Sequence, residues 1–114
     1  MSLISLLTTT NSHSDYYVES FKNTLEAHLP YLRASSKSRL VILTDLQGVV
    51  YKGNLYGLLN ELRVAKYLHW IVMRINGLYS SFDFNADITT LRIPDTAELE
   101  QLRMSWKSSQ KVNA

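Results

Sequence analysis

Apolar positions recur along the chain in three different rhythms, and the changes of rhythm divide it into elements. From Ser14, the residues Val18, Phe21, Leu25, Leu29 and Leu32 fall at three- and four-residue steps, one face of a helix. Ser14 or Asp15 is placed to cap its start, and Pro30 to end or kink it. After a Ser-rich connector, Arg39-Leu40-Val41-Ile42-Leu43-Thr44 is a run rich in β-branched residues that predicts a strand buried on both faces or nearly so. Asp45-Leu46-Gln47-Gly48 offers turn chemistry, and Val49-Val50-Tyr51 predicts a second extended piece. The helical step then returns. Leu55, Leu58, Leu59 and Leu62 predict a short helix capped by Asn54. Leu68, Ile71, Val72 and Ile75 form the stripe of another, with Lys66, His69 and Arg74 on its other faces. Asn76-Gly77 closes that helix, because both residues tolerate the left-handed conformation.

Residues 78–87 read as an irregular loop, and Ile88 to Ile93 alternate apolar and polar, the period of a half-buried strand. Pro94 stops it for want of an amide donor. Asp95 and Glu98 have capping-box spacing, and Leu99, Leu102 and Trp106 line one side of a final helix before a polar tail. The predicted fold class is α+β in a single small domain.

Composition sharpens one point. In 114 residues with 46% hydrophobic content there is much surface for little volume, so some of the twelve aromatics should face a partner. The candidates are Tyr16, Tyr17, Tyr31, Tyr79, Phe82 and Trp106, since Tyr and Trp bury area while keeping a polar handle. The net charge of +2 is scattered, and its densest set (Arg33, Lys37, Arg39) has no interleaved aromatic. No nucleic-acid partner is expected on that basis. With no cysteine, disulfides and thiolate metal sites are excluded. No apolar run reaches the ~18 residues of a membrane helix, so no membrane partner is expected. Met1 to Leu7 is apolar but has no basic flank, which argues against a secretory signal. Residues 1–13 read as an arm that orders on a neighbour, or as simple disorder.

Candidate chemistry is sparse. His13, His28 and His69 lie at no metal-ligand spacing and are expected as solvated or interfacial imidazoles. Asp45 with Asp83 or Asp87 is the nearest approach to a carboxylate pair, and nothing in the sequence brings them together. No phosphate loop or nucleophile elbow occurs. The expectation is a non-catalytic protein with no cofactor and no metal.

One constellation carries a resemblance. Leu68-His69-Trp70-Ile71-Val72-Met73-Arg74-Ile75-Asn76-Gly77-Leu78, then Phe82-Asp83-Phe84, then Thr90-Leu91-Arg92-Ile93-Pro94, looks like the second half of a LysM module. The aromatic before Ile, the Asn-Gly helix end and the Phe-Asp after a short spacer resemble the LysM-like baseplate wedge and tail proteins of tailed bacteriophages, over roughly Asn54 to Pro94. That resemblance implies two short helices on one side of a two-stranded antiparallel sheet, with Trp70, Ile71, Asn76, Gly77, Leu91, Ile93 and Pro94 defining the fold. On local physics alone, Trp70 and Ile71 read as core, Asn76 as a helix C-cap bonded to loop backbone, and Pro94 as a strand stop.

The implied organisation is an arm (1–13), an N-terminal helix and connector (14–37), a LysM-like module (38–95) and a C-terminal helix and tail (96–114). The implied function is structural: a virion tail or baseplate component, made in the host cytoplasm and contacting other tail proteins in a symmetric multi-copy assembly. The first half departs from glycan-binding LysM modules, having Gly53-Asn54-Leu55 where those have Gly-Asp-Thr. Peptidoglycan or chitin binding is therefore the first alternative, and a small cytosolic adaptor the second.

Overall fold

The computed structural model describes the backbone of residues 13–113 and the side chains of 13–110; the Met1 to Ser12 arm lies outside the described residues. A helical turn at 13–15 precedes α1 (Glu19–Ala27) and α2 (Leu29–Ala34). Then come β1 (Arg39–Ile42), α3 (Asp45–Val50), α4 (Leu55–Glu61), α5 (His69–Ile75), β2 (Thr90–Ile93) and α6 (Thr96–Asn113). Single 3₁₀ turns, Lys66–Leu68 and Ser81–Asp83, precede α5 and follow it. The protein is a small α+β fold in which, among the described residues, helices accompany one two-stranded antiparallel sheet.

The first predicted helix is in fact two. Pro30 sits in the first turn of α2, where its missing amide would have had no intrahelical partner in any case. His28 (φ −102°, ψ 7°) ends α1 and begins α2, and the bend keeps Phe21, Leu25, Leu29 and Leu32 all buried. The start also differs from expectation. Val18 stands at the N-cap of α1 with no side-chain cap bond and is exposed. The Asp15 carboxylate is spent elsewhere, on Arg103 Nη1 at 3.1 Å and Lys107 Nζ at 3.2 Å.

Two further expectations are corrected between residues 39 and 51. β1 is covered on one face only: Val41 packs against the core, while Leu40 and Ile42 are exposed. The segment read as a turn and a strand is helix α3. Thr44 Oγ1 accepts from Gln47 N–H and Gln47 Oε1 accepts from Thr44 N–H, a reciprocal capping box that starts the helix. Gly48 lets the chain pass close within it: a Cβ there would meet Ala86 Cα at 3.3 Å, a tight contact.

The remaining elements follow their local signals. Asn54 Oδ1 accepts from Gly57 N–H at 3.0 Å and caps α4, whose Leu55, Leu58 and Leu59 are buried. Both α4 and α5 end in the same motif. Val64 N–H reaches Leu59 C=O and Arg63 N–H reaches Asn60 C=O, just as Leu78 reaches Met73 and Gly77 reaches Arg74. The residue this motif holds in the left-handed region is Gly77 (φ +79°) after α5, but Arg63 (φ +63°) after α4. β1 and β2 pair antiparallel, Arg39 opposite Ile93 and Ile42 opposite Thr90. Leu91 and Ile93 face inward between exposed Thr90 and half-buried Arg92, the alternation predicted for this strand. Glu98 does not play the part that its capping-box spacing to Asp95 predicts: its carboxylate is buried and accepts from the Ser35 hydroxyl.

Candidate interaction surface

Among the described residues, the stretch from β1 to α3 concentrates apolar side chains left in water. Leu40 and Ile42, two apart on a strand, share one sheet face and are 56% and 79% exposed. Leu46, Val49 and Val50, at helical steps on α3, are also more than half exposed. Five large aliphatic side chains exposed within eleven residues of chain exceed the scattered single exposures normal for a surface. The loop 82–86 runs beside this region: Ala86 abuts Gly48, and Gly53 N–H donates to Phe84 C=O at 2.7 Å. In it Phe82 stands 83% exposed. Tyr79, a few residues earlier, is 81% exposed with the Arg74 guanidinium 4.4 Å from its ring centroid.

Two clefts lie elsewhere. One, of about 370 Å³, is walled by Tyr16, Tyr17, Tyr56, Tyr67 and Trp70, with Lys22, Asn60 and Lys66 at its polar margin. The Lys22 ammonium sits 5.3 Å from the Trp70 ring centroid. The other, of about 350 Å³, is bounded by Lys37, Arg39, Arg63 and the Ile93–Thr96 segment. Neither cleft is lined by both the loop after α4 and the loop before β2, which the glycan-binding alternative would require to act together.

The predicted contact residues separate in space. Tyr17, Tyr31, Tyr79 and Phe82 are exposed. Tyr16 is 2% exposed and belongs to the core, so it is no surface contact. Its hydroxyl donates to Glu100 Oε1 at 2.6 Å, and its ring meets Phe21 edge-on. Burial, reinforced by the Glu100 carboxylate, pushes this phenol well above its ordinary value. Trp106 is half-buried on α1: its ring lies 5.2 Å from Phe21, and its Nε1–H donates to Ser20 Oγ at 3.2 Å. The two segments expected to clamp neighbours therefore clamp each other.

Of the fold-defining set, Ile71, Leu91 and Ile93 are buried and Trp70 packs partly against the core. Asn76 does more than cap. Its Nδ2 donates to Val72 C=O at 2.7 Å and Arg92 C=O at 2.9 Å, and its Oδ1 accepts from Arg92 N–H at 2.8 Å.

Charged and polar groups serve the scaffold. Glu26 on α1 pairs with Arg74 on α5, whose Nη2 lies 3.2 Å from Glu26 Oε2. That hydrogen bond holds the Glu26 carboxyl below its usual range. Arg33, read as solvated charge, donates to the Ile75 and Arg74 carbonyls at 2.9 and 2.7 Å and closes the C-terminal end of α5. His69 is buried, not solvated: its Nε2–H donates to Val64 C=O at 2.8 Å. The Asp83 carboxylate accepts from the Tyr79 and Ser80 amides and so shapes its own loop. Among the described residues no three His, Cys, Asp or Glu side chains gather as a metal would need, and no helix is long and apolar enough to cross a membrane.

The exposed aliphatic residues of β1 and α3 are what sequence reasoning missed. Their signal was present, in the period-two pair Leu40/Ile42 and the helical triplet Leu46/Val49/Val50. Comparison with protein-family models, curated proteins and solved structures finds no match to the chain.

Proposed function

We propose that this chain is a structural component of a bacteriophage tail or baseplate, built on a LysM-like module and working through protein–protein contacts. The observation that carries the reading is the apolar surface on β1 and α3, extended by Tyr79 and Phe82. A chain that, among the described residues, closes a core of nineteen buried hydrophobics and still leaves these in water has surface suited to another protein. The tail assignment rests on the resemblance between Asn54 and Pro94. The order β1, helices, β2 with the strands paired antiparallel supports it, as does Asn76 joining the end of α5 to β2. In chain order β1 and β2 enclose three helices, not two, α3 being additional to the expected pair.

The test is mass spectrometry of purified particles of the encoding phage. Several copies per particle are expected in the tail fraction, and absence from the particle would overturn the reading. A chain lacking Met1 to Ser12 is expected to fold, by circular dichroism, but to be lost from those particles. Normal incorporation would remove the arm from the mechanism. Retention on insoluble peptidoglycan would instead support the glycan-binding alternative, with the aromatic cleft at Tyr56, Tyr67 and Trp70, and not the two loops, as the groove.

A further inference from the structure

The two edges of the sheet are finished differently. On the outer edge of β2, the side-chain amide of Asn76 takes both the N–H and the C=O of Arg92, at 2.8 and 2.9 Å, as a third strand would. Leu43 N–H donates to Thr89 C=O at 2.9 Å, which fixes the phase of the β1–β2 ladder. Arg39, Val41 and Leu43 therefore point their backbone groups at β2, while Leu40 and Ile42 point theirs away. Among the described residues none meets those outward groups. An unpaired edge beside an exposed apolar face is a template for another strand.

We propose that β1 pairs antiparallel with β1 of a second copy about a two-fold axis at Val41, making a four-stranded sheet. Three features favour a second copy over any other occupant. In this register Leu40 and Ile42 of one copy exchange backbone hydrogen bonds with Ile42 and Leu40 of the other, so every outward group is paired and the apolar side chains stack across the join. The charges agree as well: Lys37 and Arg39 flank one end of β1 and Asp45 the other, so the antiparallel arrangement brings each basic end onto an acidic one. Finally, Leu46, Val49 and Val50, exposed on the helix that directly follows β1, offer apolar area in addition to the strand's toward the ~800 Å² that each partner contributes to a standard interface. Residues 1–12 carry no charged side chain with which to answer Lys37, Arg39 or Asp45. The inference rests on the edge and its face, and holds or fails independently of the tail assignment.

The test is sedimentation velocity of the full chain from micromolar to near-millimolar concentration, beside Ile42→Lys. Wild type is expected to dimerise. Ile42→Lys should weaken the dimer on the order of 100-fold, because the axis sets the lysine into the apolar strip twice. Its thermal melt should match that of wild type at concentrations where wild type is monomeric, since Ile42 is 79% exposed in the single chain. Amide exchange at Leu40 and Ile42 in the wild type should slow as concentration rises, a readout that needs no variant. A wild type that stays monomeric throughout would overturn the proposal. So would a dimer indifferent to Ile42→Lys, or one that leaves exchange at Leu40 and Ile42 unchanged.

Discussion

Asn76 concentrates on one side chain what usually takes a strand. Its Nδ2 donates to the Val72 carbonyl in α5's last turn, and the same amide satisfies both outward backbone groups of Arg92 at a part-buried position, which ties α5 to β2. Truncation would leave a donor and an acceptor with no replacement nearby, and unmet groups of that kind cost about 1–3 kcal/mol each. Asn76→Ala is therefore expected to lower stability by about 2–3 kcal/mol, read as a lower urea midpoint at unchanged m. Asn76→Asp should recover only part of this. It keeps the acceptor for Arg92 N–H but turns a carboxylate toward the Val72 and Arg92 carbonyls. Equal stability of Asn76→Ala and wild type would mean that water serves Arg92 as well as the amide does.

At the scale of elements, α3 shows how local chemistry decides an ambiguous segment. Six residues are too few for helical periodicity to speak, and Asp45 and Gly48 both suit a turn. The Thr44–Gln47 capping box settles the matter by meeting two orphan amides at once. Thr44→Ala is expected to cost about 1 kcal/mol, and to raise amide exchange across Leu46 to Val50 more than elsewhere. The same contrast explains what the sequence revealed. The caps of α4 and α5 and the alternation of β2 depend on residues within a few positions of one another, and all are legible. The burial of β1 is not. A β-branched run reads alike whether one face is covered or two, and the covering depends on elements dozens of residues away. Pro30 was legible as a break but not as the start of α2, because that role depends on Leu29 and Leu32 finding the same core as Phe21 and Leu25.

Across the whole molecule, the two ends of the described chain are locked together, and this lock was invisible in the sequence because its partners lie more than eighty positions apart. Asp15 meets Arg103 and Lys107, Tyr16 meets Glu100, and Ser20 meets Trp106. The phenol of Tyr16 gives the lock a pH dependence with a definite sign. Facing it are Glu100 and Arg103 from α6 and Tyr67 from the segment before α5. Burial first, then the Glu100 hydrogen bond and charge, favour the protonated phenol in the folded state, so its folded value lies above the unfolded one of 10.0. The folded chain then holds a proton that the unfolded chain gives up. The stabilisation is complete below pH 10 and drains away as pH rises beyond it. Tyr56 and Tyr67 are raised by burial in the same direction, so the slope has more than one source. Wild-type stability, followed by urea denaturation at successive pH values, is expected to fall from about pH 10 upward. Tyr16→Phe should cost about 1 kcal/mol at neutral pH through the lost bond to Glu100, and should flatten that alkaline slope. A variant whose slope above pH 10 matches the wild type would show that the Tyr16–Glu100 contact opens before the phenol ionises.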